Sequence, residues 1–333
     1  MSRAAVVGAG GFGTCLAILL HGRGHTVRLW AHDPALAEAL ARERVNRKYL
    51  PGARLPDDVA VSADLARALE GAGIVVSAVP TQHVRAVWTG ARGRVGTGAA
   101  VLSVSKGIEV GTDRLASEAL REALGIGSVA VLAGPCHAEE VAQGIPSSVV
   151  VGASEPELAR RLQEALGTER FRVYTNPDVR GLELGGALKN VIALAAGICD
   201  GLGFGDNTKA ALLTRGIAEI ARLGVALGAR RETFYGLAGI GDLMTTAFSR
   251  HGRNREMGER IGRGMKLEDA LRATSRVAEG VWTTKPALDL ARQRGVEVPI
   301  TAEVEAVLFH GRDPRAAVAA LMARPQRDEA GPA

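Results

Sequence analysis

Val6-Val7-Gly8-Ala9-Gly10-Gly11-Phe12-Gly13 narrows the fold more than any other stretch of this chain. A short apolar run at 4–7 leads straight into a glycine-x-glycine-x-x-glycine turn, and an apolar helical run at 14–20 follows at once. The spacing gives each glycine its own task. Gly8 permits a tight turn, Gly10 lets the backbone approach a pyrophosphate, and Gly13 lets the helix pack close on the strand. The free N–H groups and positive dipole end of that helix then face phosphate oxygens. Glycine turns also occur for backbone reasons alone. Here strand, turn, helix and a second strand at 27–30 follow in order, as a dinucleotide-binding unit requires.

The second strand should end near the adenosine ribose, and its end reads Trp30-Ala31-His32-Asp33-Pro34. Asp33 lies twenty residues after Gly13. It either accepts the ribose hydroxyls, as in NAD-type sites, or caps the helix beginning at Pro34. Capping leaves Ala31, His32 and Arg28 beside the ribose, an arrangement that tolerates a 2′-phosphate. NAD and NADP both fit at this point.

Further candidate strands fall at 74–79, 99–103, 129–133, 147–151 and 172–175, with helical patterns at 35–47, 64–69, 82–91, 113–124 and 156–166. Strands that are apolar throughout and separated by helices indicate a parallel sheet covered on both faces, a Rossmann-like, doubly wound α/β domain. After Asn176-Pro177 the strand signals stop. The remainder reads as helices at 181–199, 208–227, 253–263, 267–274, 284–294, 302–309 and 314–322. The expected organisation is a nucleotide-binding domain over 1–180, an all-helical substrate domain over 181–324 and a disordered tail over 325–333.

Composition narrows the function. The 333 residues are 47% hydrophobic, enough for two ordinary domains with real cores. A formal charge of +5 fits an anionic small substrate without deciding for one. There is no dense basic run or base-stacking aromatic set, so nucleic acid is not the expected partner. Cys15, Cys136 and Cys199 lack CxxC spacing, and reduced thiols in the cytoplasm are the expectation. His21 and His25, separated by glycines, read as exposed loop histidines, and no metal site is expected. The most apolar stretch, 185–199, reads as too short and too rich in Ala and Gly to span a bilayer.

That same stretch carries just two strongly polar side chains, Lys189 and Asn190. Burying an ammonium is costly unless it is paired. A low-dielectric site also makes a lysine give up its proton more readily, which suits proton transfer near neutral pH. The competing reading is a lysine whose stem reaches past its helix to solvent. Ser105-Lys106-Gly107 follows the strand at 99–103, at the sheet edge where open α/β sheets bind ligands. Gly134-Pro135-Cys136-His137-Ala138-Glu139 follows 129–133 in the same way. In the helical half, Gly239-Ile240-Gly241-Asp242-Leu243 offers an isolated acid. Gly252-Arg253-Asn254-Arg255 sets an Arg–Asn pair at a helix start, which is phosphate-binding chemistry unless the arginines are simply solvated.

Taken together, these segments resemble one family, the NAD(P)-dependent glycerol-3-phosphate dehydrogenases, in their bacterial branch. The matching stretches run almost end to end: GAGGFGTCLA from Gly8, NRKYLPG from Asn46, SKG at Ser105, GPCHAEEVAQGIP from Gly134, ELGGALKNVIALAAGICDGLGFGDNTKAALLTRG from Glu183, GLAGIGDLMTT from Gly236, GRNREMG from Gly252, VAEGVWTT from Val277 and VEVPIT from Val296. The block from Glu183 to Gly216 is far more specific than a fold class demands.

The resemblance implies reversible reduction of dihydroxyacetone phosphate to sn-glycerol 3-phosphate with NADPH or NADH, supplying glycerophospholipid synthesis, in a cytoplasmic homodimer. It implies that Lys189 is the general acid/base, that Lys106 orients the substrate carbonyl, and that Asp242 holds Lys189. Gly134, Cys136, Thr246, Gly252, Arg253 and Asn254 match positions around the substrate. Gly11, Phe12, His32, Lys106, Ala138, Val277 and Glu279 match positions around the cofactor, with Arg253 shared between both ligands. Cys136 departs from the usual Ser or Thr and Gly252 from the usual Ser, so a missing hydroxyl would reshape substrate binding. Two alternatives stand beside this reading. A related two-domain dehydrogenase of a 3-hydroxy acid or ketopantoate would want a carboxylate pocket and no Arg253-Asn254 pair. A non-catalytic nicotinamide-binding protein would do without Lys106, Lys189 or Asp242.

Overall fold

The computed structural model describes residues 2–249, 252–274, 277–326 and 328, so most of the expected C-terminal tail lies outside the described residues. The chain divides into two units, Met1–Lys106 with Leu115–Leu182, and Gly107–Arg114 with Glu183–Ala333.

The first unit is built on an eight-stranded sheet. Its strands are β1 (Arg3–Val7), β2 (Thr26–Trp30), β3 (Ala60–Ser62), β4 (Ile74–Ser77), β5 (Ala100–Ser103), β6 (Ala130–Ala133), β7 (Ser147–Gly152) and β8 (Phe171–Asn176). In space they run β8-β7-β6-β5-β4-β1-β2-β3. Successive side chains along a strand point to opposite faces. Ala4 and Val6 enter one apolar cluster with Val76 and Leu102, while Ala5 and Val7 enter a second with Val75, Val101 and Trp88. Burial on both faces is why these strands read as apolar at every position.

From β1 the chain proceeds outward to β2 and β3, then returns to build β4, β5 and β6 on the other side. The C-terminal end of β1 is therefore a topological switch point, where open α/β sheets take ligands. Helix α1 (Gly11–Gly22) starts there. The sheet is not parallel throughout: β7 runs antiparallel to β6, and β8 follows β7. The link between β6 and β7 holds only a five-residue helix, Ala138–Ala142. That is about 7.5 Å of helix, too little for the crossover that parallel neighbours need.

Asp33 caps α2 (Pro34–Glu43), its Oδ1 accepting the Ala35 N–H at 3.0 Å. The helix stops short of residue 47 because Arg44 turns left-handed at φ 58. The Arg44 guanidinium goes inside and donates to the carbonyls of Pro56 and Val59. Val45–Asn46 and Leu50–Arg54 then pair as a small antiparallel hairpin. His21 and His25 are half-buried, not loop-exposed: His21 closes α1 and pairs with Asp58 at 2.7 Å, and His25 meets Ser2 backbone at 3.3 Å.

The second unit is helical. Helix α3 (Val179–Gly201) extends two residues beyond the expected 181–199 at each end, and by length and composition it would pass for a membrane span, which the 185–199 stretch alone reads as too short to be. Its apolar window is wholly buried inside the protein, so side chains cover it in place of lipid. Around it lie α4 (Asp206–Ala226), α5 (Asp242–Phe248), α6 (Arg253–Gly262) and α7 (Glu279–Arg294). Helices α3 and α6 touch backbone to backbone. Side chains at Gly197 and Gly201 would collide with the carbonyls of Arg255 and Glu259, and side chains at Gly258 and Gly262 with those of Leu194 and Ile198. Buried Glu219 on α4 accepts the Ile300 and Thr301 N–H groups at 2.8 and 2.9 Å, capping the Pro299–Phe309 helix. Burial pushes that carboxyl up, and the Thr301 hydroxyl together with these two N–H groups partly restores it. Segment 107–114, which periodicity assigns to the first half, joins this unit through a 3.1 Å bond from Gln293 to Asp113.

An Ala at Gly258 should cost about 3 kcal/mol, because the opposing backbone cannot yield. An Ala at Gly22, with nothing within 4 Å of its Cβ position, should leave stability unchanged. Urea unfolding midpoints of the two variants check this.

Candidate active site

At the glycine turn the structure separates crowding from open space. Gly8 has φ 118, and a Cβ there would lie 2.5 Å from the Ala78 carbonyl oxygen. Gly13 presses on the Gly8 carbonyl, and a Cβ on Gly11 would meet the Tyr49 carbonyl at 2.8 Å and Ala138 at 3.7 Å. Gly10 is different, with nothing within 4 Å of its Cβ position. It is the N-cap of α1, no side chain caps the helix, and no acid sits in the first turn. Open space over an uncapped helix start suits a pyrophosphate, so these residues fit a dinucleotide. Phe12 packs half-buried on the core.

A residue the sequence reading missed braces this turn. Asn46, fully buried, donates to the Ala9 carbonyl at 2.9 Å and to Thr14 Oγ1 at 2.8 Å, and accepts the Tyr49 N–H at 3.1 Å. One amide thus ties the loop after Gly8 to the first turn of α1. In the sequence Asn46 merely opens NRKYLPG, 37 residues from Ala9. Behind the turn, burial pushes the Cys15 thiol up to about 12, which makes it inert.

At the end of β2, His32 is exposed and edge-on to Trp30, with ring centroids 5.7 Å apart. Arg28 is not available beside a ribose, contrary to expectation. Its guanidinium donates to the Arg67 carbonyl and lies 3.4 Å from Glu70 Oε2, tied to the end of the Leu65–Leu69 helix.

Past β5 and β6, Lys106 donates to the Gly134 carbonyl at 3.0 Å and lies 3.7 Å from Cys136 Sγ. The Cys136 thiol donates to the same carbonyl at 3.1 Å, and Gly134 takes φ 114 to present it.

In the second unit Lys189 is 5% exposed, which removes the solvent-reaching alternative. Its Nζ lies 3.0 Å from Asp242 Oδ1 and donates to Thr246 Oγ1 at 2.5 Å. Asp242 and Thr246 stand one turn apart on α5, and the Thr246 hydroxyl bonds the Asp242 carbonyl at 2.7 Å. A π-helical turn, Leu237–Gly241, leads into α5, and its glycines allow it. Gly239 abuts the Phe234 carbonyl, and a Cβ on the facing Gly185 would lie 2.7 Å from the Ala238 carbonyl.

Next to Lys189, Asn190 Oδ1 accepts from Asn254 Nδ2 at 2.9 Å, and Asn254 Oδ1 accepts the Gly280 N–H at 2.9 Å. Asn254 thereby joins α3, α6 and α7. To a phosphate it offers its second amide hydrogen and its backbone N–H in the first turn of α6. Arg253, the first residue of α6, is exposed, whereas Arg255 pairs with Asp200 at 2.8 Å and Glu259 at 3.1 Å. Gly252 lies against α5, where a Cβ would sit 2.5 Å from the Thr246 carbonyl, so a serine there requires the backbone to shift. Val277 is exposed, and Glu279 opens α7 beside Gly280.

The pairing has a measurable consequence. Asp242→Ala strands a buried ammonium and should destabilise the chain by about 3 kcal/mol, and Lys189→Met added to it should recover most of that loss. Thermal unfolding of the single and double variants checks this.

The sequence matches family models described as NAD-dependent glycerol-3-phosphate dehydrogenase N-terminus over residues 3–159 and C-terminus over residues 178–319. A Geobacillus kaustophilus protein named glycerol-3-phosphate dehydrogenase (NAD(P)+) is 51% identical over 99% of this chain and 96% of its own length. One of the same name from Moorella thermoacetica is 50% identical over 98% of this chain and 97% of its own. The crystal structure of glycerol-3-phosphate dehydrogenase from Coxiella burnetii superposes with a TM-score of 0.93 at 36% identity, covering 97% of this chain and 99% of that one. A ketopantoate reductase from Ralstonia eutropha reaches a TM-score of 0.62 at 18% identity, a likeness of fold alone. Carried by both halves of the chain, these matches establish that it belongs to the NAD-dependent glycerol-3-phosphate dehydrogenase family.

Proposed function

We propose that the chain reduces dihydroxyacetone phosphate to sn-glycerol 3-phosphate, reversibly, with Lys189 moving the proton and with NADPH or NADH as cofactor. The observation that carries this is the buried Lys189–Asp242–Thr246 contact on α3 and α5, in a chain whose relatives bear that activity in their names. A dehydrogenase of a 3-hydroxy acid or ketopantoate is less well supported, since the ketopantoate reductase shares only the fold.

The glycine turn and the start of α1 would hold the cofactor, and a bound NAD(P)H supplies the hydride for the carbonyl carbon. Arg253 and the first amides of α6 take the substrate phosphate, which fixes the rest of the molecule for reaction. Lys189 donates a proton to the carbonyl oxygen as charge develops there, and in reverse its neutral amine accepts the alcohol proton. Asp242 and Thr246 set the direction of its Nζ. Lys106, held by the Gly134 carbonyl, is the lysine to which the family resemblance gives the orienting of the substrate carbonyl. The same reading makes the protein a cytoplasmic homodimer serving glycerophospholipid synthesis, and its free cysteines fit a reducing compartment. Initial rates with dihydroxyacetone phosphate and either reduced cofactor test the assignment, and no turnover with either ends it.

Lys189→Ala should lower kcat by at least about a thousandfold while NADPH still binds, as titration of cofactor fluorescence would report. Near-parental kcat would remove Lys189 from proton transfer.

Arg253→Ala should raise KM for dihydroxyacetone phosphate by an amount worth about 2–5 kcal/mol. Unphosphorylated dihydroxyacetone, a poor substrate from the start, should lose little more. Equal losses on both would show that Arg253 is not the phosphate anchor.

With Asp33 capping α2, Asp33→Asn, which still caps, should change the NADPH/NADH ratio of kcat/KM by less than about tenfold. A larger gain for NADPH would make Asp33 the ribose acid.

A further inference from the structure

Near the end of α3, Asp200 takes two cations at once. Lys209 Nζ donates to both of its carboxylate oxygens at 2.8 Å, and Arg255 Nη1 donates to Oδ2 at 2.8 Å. The three residues stand on three helices: α3, the first turn of α4 and the first turn of α6. Arg255 has two further anchors, Glu259 at 3.1 Å and the Ser249 carbonyl, just past α5, at 3.3 Å. Lys209 lies 4.9 Å from the centre of the Phe248 ring, the last residue of α5. The cluster thus fastens together the helices that carry Lys189, Asp242, Thr246 and Arg253, yet contains none of those residues. Lys209 is 8% exposed, so at least one of these charges is largely withdrawn from water and held more firmly than a surface pair.

Arg255 stands two residues from Arg253, a spacing at which side chains on one helix leave on different faces. Held by Asp200 and Glu259, it is neutralised and pointed at α3.

We propose that Asp200 is a positioning residue for the substrate phosphate: by gripping Arg255 and Lys209 it fixes the start of α6, where Arg253 stands, against α3 and α5. The proposal rests on the phosphate role assigned to Arg253 above. The readout is the ratio of kcat/KM for dihydroxyacetone phosphate to kcat/KM for dihydroxyacetone, measured on the purified full-length enzyme with NADPH.

Asp200→Asn should lower that ratio at least about tenfold while KM for NADPH stays within about threefold. Lys209→Met should lower it in the same direction, and Lys209→Arg, which keeps the cation, should restore most of it. A purely architectural cluster would depress both substrates together and leave the ratio alone, which overturns the proposal. Arg253→Ala runs beside these variants. If it collapses the ratio and Asp200→Asn does not, the clamp is wrong and the phosphate assignment stands. If Arg253→Ala leaves the ratio unchanged, the phosphate assignment fails and takes the clamp with it. Should Asp200→Asn not fold, the Lys209 pair decides by the same criterion.

Discussion

An ammonium group in the middle of an apolar helix has to be met by a carboxylate, because leaving it dehydrated and unpaired would cost about 3–5 kcal/mol, a large part of a domain's stability. Lys189 imposes that condition on the helical unit. Asp242 and Thr246 satisfy it from α5, which must therefore approach α3 closely. The glycines on both sides permit the approach, Gly185 against Ala238 and Gly239 against Phe234. The same economy of side chains brings α6 against α3, so Asn254 can reach Asn190 beside the lysine.

The sheet unit solves a different problem by similar means. A pyrophosphate is bound by backbone N–H groups, which can reach it only where side chains are missing. Gly8 and Gly13 give up theirs to let chain pack on chain, whereas Gly10 faces open space. A turn with so few side chains has little to hold it. Asn46 supplies the missing rigidity from outside, bonding loop and helix with one amide.

What the sequence discloses follows from which forces are local. Strands buried on both faces announce themselves, as Val6-Val7 and Ile74-Val75-Val76 do, because every position must be apolar. β3 does not, being three residues long at the sheet edge. The direction of β7 is hidden because a period of two is the same read either way. Arg44 ends α2 in a conformation usually left to glycine, held by carbonyls twelve and fifteen residues on. Lys189 is conspicuous as a charge among apolar neighbours. Asn46 and Asp200 look ordinary, because what distinguishes them is the company brought to them by the fold. Arg28 misleads for the same reason, since its partners at Arg67 and Glu70 come from another element.

The excursion of Gly107–Arg114 into the helical unit means that the chain passes from one unit to the other three times, after Lys106, Arg114 and Leu182. No single cut separates two complete folds. A gene fragment ending near residue 182 would encode a segment whose partner, Gln293, it lacks, and the remaining fragment would encode Gln293 without Asp113. Expressed apart, each fragment would therefore lack one side of that contact, and the helical unit would be without the segment 107–114 that belongs to it.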